Sequence, residues 1–78
     1  MYQYLLTEEE KISADNISYQ TYGIVILEIK ENTPAEIARI SDITSDKNRL
    51  LSLIAQCNRL QLSPIHFNEI IDDFILSA

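Results

Sequence analysis

The stretch Leu62-Ser63-Pro64-Ile65-His66-Phe67 sets where a helix begins, and that constrains everything before it. The Ser63 hydroxyl is placed to accept from a free amide of the first helical turn. Pro64 follows at the first helical position, where a missing N–H costs nothing and the fixed φ suits the helix. Leu62 and Phe67 stand at the two ends of a hydrophobic staple. Phe67, Ile70, Ile71, Phe74 and Ile75 then recur on one helical face, while His66, Glu69, Asp72 and Asp73 line the other. The apolar stripe of this last helix needs a surface built by the residues upstream.

Those residues divide into strands and one more helix. Tyr2 to Leu6 alternate in strand fashion, with Tyr2, Tyr4 and Leu6 on one side. The run Glu8–Glu10 is read as exposed, and Asp15-Asn16 as a two-residue hairpin turn, since both residues tolerate left-handed backbone angles. A second strand is expected from Ser18 to Lys30. Its centre, Ile24-Val25-Ile26-Leu27, is apolar at consecutive positions, as in a strand covered on both sides. Gly23, the only glycine, precedes that centre, where a bulge or close backbone approach is expected. Glu31-Asn32-Thr33-Pro34 makes the next turn, and a third strand spans Ala35 to Ile43. Ser45 or Thr44 is expected to cap the first helix, with Asp46 in its first turn. Leu50, Leu53, Ile54 and Cys57 supply that helix's apolar stripe. It ends near Asn58 or Leu60, close enough to Ser63 to make an antiparallel helical hairpin. The fold class is therefore α+β: a three-stranded antiparallel β-meander followed by a C-terminal two-helix hairpin packed on one sheet face.

Turns at Asp15-Asn16 and Asn32-Thr33 would set the register. Leu6 then faces Val25, Tyr4 faces Leu27, Tyr2 faces Ile29, Val25 faces Ile40, and Leu27 faces Ala38. Apolar residues oppose apolar residues throughout. The expected inner face is Tyr2, Tyr4, Leu6, Val25, Leu27, Ile29, Ala38 and Ile40. The other face carries Leu5, Ile24, Ile26 and Ile37, rimmed by Gln3, Thr7, Glu28, Arg39 and Ser41. Clustered aliphatics with a polar rim fit an interaction surface.

Size and charge bound the partners. Seventy-eight residues make one domain, 1–78, near the small end of what folds alone. One cysteine allows no internal disulfide. Small chains of ordinary apolar content, here 46%, often finish burying it against a partner. A formal charge of −6 opposes nucleic acid and anionic membrane surfaces. Nothing at the N-terminus reads as a signal peptide, and the longest apolar run is too short to span a bilayer. The expected location is cytoplasmic.

Several blocks resemble an uncharacterised family of small Firmicutes proteins, a domain of unknown function. They are Tyr22-Gly23-Ile24, Ile40-Ser41-Asp42-Ile43, Cys57-Asn58-Arg59, Leu62-Ser63-Pro64-Ile65-His66 and Ile70-Ile71-Asp72-Asp73-Phe74, within residues 19 to 75. Leu60 and Gln61 stand where a glycine or an acidic residue would be expected. The resemblance implies a cytosolic bacterial protein and carries over no catalytic residue.

Candidate chemistry is sparse. His66 is the only histidine, and catalysis would need a second oriented group converging on it. Ser63, Glu69 and Asp73 are local and explained by capping and solvation. Asp42, Thr44 and Asp46 echo the start of a calcium loop but lack its central glycine and terminal glutamate. Cys57 lies on the apolar stripe and reads as core packing. The four tyrosines all precede residue 23 and read as cross-strand packing groups. No cofactor or metal is expected. The chain is read as a non-enzymatic interaction or assembly module that self-associates, as a homodimer, through Leu5, Ile24, Ile26 and Ile37, with Glu28 and Arg39 setting orientation. In a second version the acidic stripe Glu69, Asp72 and Asp73 docks a basic partner. The competing class is a small enzyme or ligand-binding domain with a pocket near His66 and the tyrosines.

Overall fold

The computed structural model describes residues 1–77. Three strands, β1 (Tyr2–Ile12), β2 (Ser18–Lys30) and β3 (Thr33–Thr44), form one antiparallel sheet in the order β1-β2-β3. Two helices follow, α1 (Lys47–Leu60) and α2 (Phe67–Leu76), the second entered through a 3-10 turn at Pro64–His66. The α+β meander and terminal helices agree with the sequence reading. β1 is longer than expected: Glu8, Glu9 and Glu10 continue the strand, opposite Tyr22, Thr21 and Gln20.

The register differs from the expected one. Ser13 N–H donates to Ile17 O at 2.9 Å, Asn16 N–H donates to Ser13 O at 3.0 Å, and Asn16 has φ 61°. The loop is thus Ala14-Asp15-Asn16, one residue longer than a two-residue turn. Leu6 pairs with Ile24, Tyr4 with Ile26 and Tyr2 with Glu28. The second turn is Glu31-Asn32, flanked by Lys30 and Thr33, rather than Asn32-Thr33. Both turn residues have positive φ, 51° and 61°, as a type I′ hairpin requires. A bulge follows at Ile37, so Ile26 pairs with Ala38 and Ile24 with Ile40. A one-residue slip turns every side chain of a strand over. β1 and β3 keep their expected faces, and β2 is reversed between them.

The inner face is consequently Tyr2, Tyr4, Leu6, Tyr22, Ile24, Ile26, Ala38 and Ile40, packed with Leu50, Ile54 and Cys57 of α1 and Phe67, Ile71 and Phe74 of α2. Tyr4, Ile24, Ile26, Leu50 and Cys57 have no exposed surface. Each large aliphatic buried this way stabilises the fold by about 1.5–3 kcal/mol. Tyr4 lies edge-on to Phe67 with ring centroids 6.0 Å apart, and its hydroxyl donates to Leu62 O at 2.7 Å.

The helix ends are satisfied by identifiable groups. The α1 cap is Asp46, whose carboxylate accepts from Arg49 N–H at 3.1 Å. Thr44 and Ser45 precede it, and the Thr44 hydroxyl accepts from Asp46 N–H at 3.0 Å. Ser63 caps the 3-10 turn by accepting from Ile65 N–H at 3.4 Å. At the far end of α2 the Arg49 guanidinium donates to Phe74 O at 2.5 Å and lies 4.0 Å from the Phe74 ring centroid. A cation there suits the negative end of the helix dipole, which Asp72 and Asp73 oppose.

Gly23 is required by close approach. A Cβ there would stand 2.3 Å from Ile40 O, 2.8 Å from the Thr7 hydroxyl and 2.9 Å from Ser41 Cα. Beyond Ile40, β3 leaves its ladder, and Asp42 takes a positive φ of 58°. That excursion lets the Asp42 carboxylate accept from the buried Thr21 hydroxyl at 2.6 Å.

Candidate functional site

The surface that the sequence marked for interaction changes membership. Ile24 and Ile26 leave it, because the reversed β2 turns both into the core beneath the helices. Glu28 moves with them to the helix side and pairs with Lys30 at 2.9 Å, which raises the Lys30 pKa. Their places on the outer face pass to Val25, Leu27 and Ile29, which alternate with the buried pair. Leu5 and Arg39 flank Val25 as its cross-strand partners, and Glu36 pairs with Leu27. Leu5 and Ile37 are 37% and 45% exposed, whereas Val25 is held to 8% between its neighbours.

The charges on this face are paired. Arg39 donates to Glu36 at 2.7 Å, and Lys11 lies 4.0 Å from Glu9. Hydrogen bonding to Arg39 holds the Glu36 carboxyl below the usual range and raises Arg39 in turn. Both ion pairs are exposed, so they contribute little to stability. These four side chains together carry no net charge, and Asp42, held on Thr21 of the same β2 face, adds one negative charge.

The acidic stripe is present as expected: Glu69, Asp72 and Asp73 are all exposed on α2. Among the described residues neither Asp72 nor Asp73 is ion-paired. His66 lies with 64% of its side chain exposed, Nδ1 4.0 Å from Glu69, while Tyr4 is in the core. A shallow depression does occur on α1, lined by Ser52, Ala55, Gln56 and Arg59, away from His66 and the tyrosines. No group of His, Cys, Asp or Glu among the described residues is placed to hold a metal ion. Burial pushes the Cys57 thiol pKa up, away from the thiolate a nucleophile needs.

A feature the sequence reading missed lies along the free edge of β1. Asn58 Oδ1 accepts from Tyr4 N–H at 2.7 Å, and Asn58 Nδ2 donates to Tyr4 O at 2.9 Å. Gln61 repeats the pattern one step along, with both of its bonds to the Tyr2 main chain at 2.9 Å. The two carboxamides hydrogen-bond as peptide groups of a neighbouring strand would. Gln61 occupies the left-handed helix end at φ 48°, where glycine is the usual residue. The missing glycine after Leu60 was the one trace of this in the sequence.

No helix among the described residues is long and apolar enough to cross a membrane. A family model described as "Family of unknown function (DUF6514)" matches residues 1–77. No curated protein and no solved structure matches the chain.

Proposed function

Since the chain belongs to this family of unknown function, we propose from its own surfaces that it is a small cytosolic interaction module that self-associates through the outer sheet face. The observation that carries the reading is the aliphatic group Leu5, Val25, Leu27, Ile29 and Ile37 on a face where Arg39 and Lys11 are each paired with a glutamate. A chain of −6 repels its own copy overall. An apolar face with most of its charges paired is where two copies meet at low electrostatic cost. The bacterial, cytosolic setting rests on the resemblance noted above and on a lone thiol kept in the core.

The size of the face sets the strength. Strands about 4.8 Å apart, over the stretch from Gly23 to Ile29 at about 3.3 Å per residue, give on the order of 300–400 Å² per copy. Stable interfaces bury about 800 Å² per partner, so this is a weak, concentration-dependent association. Leu5→Glu and Ile37→Glu change exposed side chains and leave the core intact. In sedimentation velocity over a concentration series, the unaltered chain should gain mass with concentration and both variants should remain monomeric. A monomer at all concentrations, or variants that still associate, would refute the reading. Ile26→Glu is not a usable probe, because Ile26 is fully buried.

A further inference from the structure

A three-stranded sheet has two free edges, each a template for pairing with another chain. In this chain each stretch of free edge carries a different obstacle. β3 has Pro34, the Ile37 bulge and the excursion at Asp42, so no straight ladder is offered. The distal part of β1 carries Glu8, Glu9 and Glu10. Antiparallel pairing of two copies about Glu9 would set Glu8 against Glu10 of the second copy, and like charges directly opposite are destabilising.

The proximal part of β1, Tyr2-Gln3-Tyr4-Leu5-Leu6, has neither charge, proline nor bulge. It is apolar, regular and rich in residues that favour strands. Here Asn58 and Gln61 take both the N–H and the C=O of Tyr4 and Tyr2, two of the three outward-facing residues of this stretch, Leu6 being the third. We infer that these two carboxamides act as a strand surrogate that keeps the proximal β1 edge from pairing with β1 of a second copy. The left-handed conformation of Gln61 fits that role. Glycine would relax the helix end, yet it has no side chain to reach Tyr2.

The test is the double variant Asn58→Ala/Gln61→Ala in the full chain, placed in the Ile37→Glu background, which suppresses association through the outer face and leaves β1 unaltered. Sedimentation should show species of higher mass than the Ile37→Glu parent. In dilute monomer the Tyr2 and Tyr4 amides should exchange with solvent about tenfold faster or more. Adding Gln3→Lys, which puts a charge on the opened edge, should return the protein to monomer. If the double variant loses its fold, Gln61→Ala alone, which frees the more exposed Tyr2 groups, carries the same expectation in smaller degree. A monomeric double variant with a native spectrum would overturn the inference, as would association that Gln3→Lys leaves unchanged. The Ile37→Glu parent, with and without Gln3→Lys, is run beside both, because Gln3 lies on the rim of the outer face next to Leu5.

Discussion

Replacing Asn58 by alanine isolates the most quantifiable contact in the molecule. The change removes two hydrogen bonds, 2.7 and 2.9 Å long, and strands the N–H and C=O of Tyr4 in a half-buried position. An unsatisfied buried polar group costs about 1–3 kcal/mol. The smaller side chain lets water approach, so the lower half of that range applies to each group. Alanine recovers roughly 0.6 kcal/mol through its better helix propensity. The net loss should be about 1.5–3 kcal/mol. At roughly 0.05–0.15 kcal/mol per residue the whole chain holds only about 4–12 kcal/mol. The midpoint of thermal unfolding should therefore fall by about 6–24 °C, at 4–8 °C per kcal/mol for a domain of this size. Urea titration followed by circular dichroism measures the loss directly. Asn58→Asp adds a check with a definite sign. Its carboxylate can accept from Tyr4 N–H but cannot donate to Tyr4 O until it is protonated. Its folded pKa should thus lie above the ordinary value of about 3.9. The recovered stability should be fully present below that ordinary value and lost as pH rises through the folded pKa. A loss under about 0.5 kcal/mol for Asn58→Ala, within the range of ordinary surface changes, would refute the reasoning.

Other perturbations probe the turns, the sheet and the core. Gly23→Ala forces a Cβ against Ile40 O and Ser41 Cα, both main chain, and should destabilise by about 2 kcal/mol or more in urea titration. Glu31→Gly removes a side chain from a position with φ 51° and should raise stability by about 0.5–1 kcal/mol in the same assay. Burial, then the proximity of Cys57 and Tyr2, raises the pKa of the Tyr4 phenol. Its contribution is therefore complete below the ordinary tyrosine pKa of about 10 and lost as pH rises through the folded value. Tyr4→Phe should shrink the alkaline loss of stability in a pH series, at the expense of the bond to Leu62 O.

The order of elements was legible because each has its own local signal. β2 runs from Ser18 to Lys30 as expected, and the Ser63-Pro64 start leads into the last helix. Register was not legible, for a reason that lies in β2 itself. Ile24, Val25, Ile26 and Leu27 are all apolar, so either parity sets apolar residues against β1 and β3. Asp15-Asn16 suits a two-residue turn, but Asn16 alone in the left-handed region serves a three-residue loop as well. Local chemistry does not separate the two, and the choice decides whether Ile24 and Ile26 are core or surface. The acidic run reads as exposed, yet it continues β1. Its partners Gln20 to Tyr22 accommodate it on a ribbon that is mostly exposed. Asn58 and Gln61 touch residues 54 and 59 positions away, beyond the reach of any periodicity.

That separation has a consequence during synthesis. The β1 stretch around Tyr2 is made before its cover, because the protective amides belong to residues 54 and 59 positions later. At about 5–20 residues per second, that stretch spends roughly 3–12 s without them. Polysomes translating this message hold many such uncovered strands side by side, a setting that favours mispairing between copies.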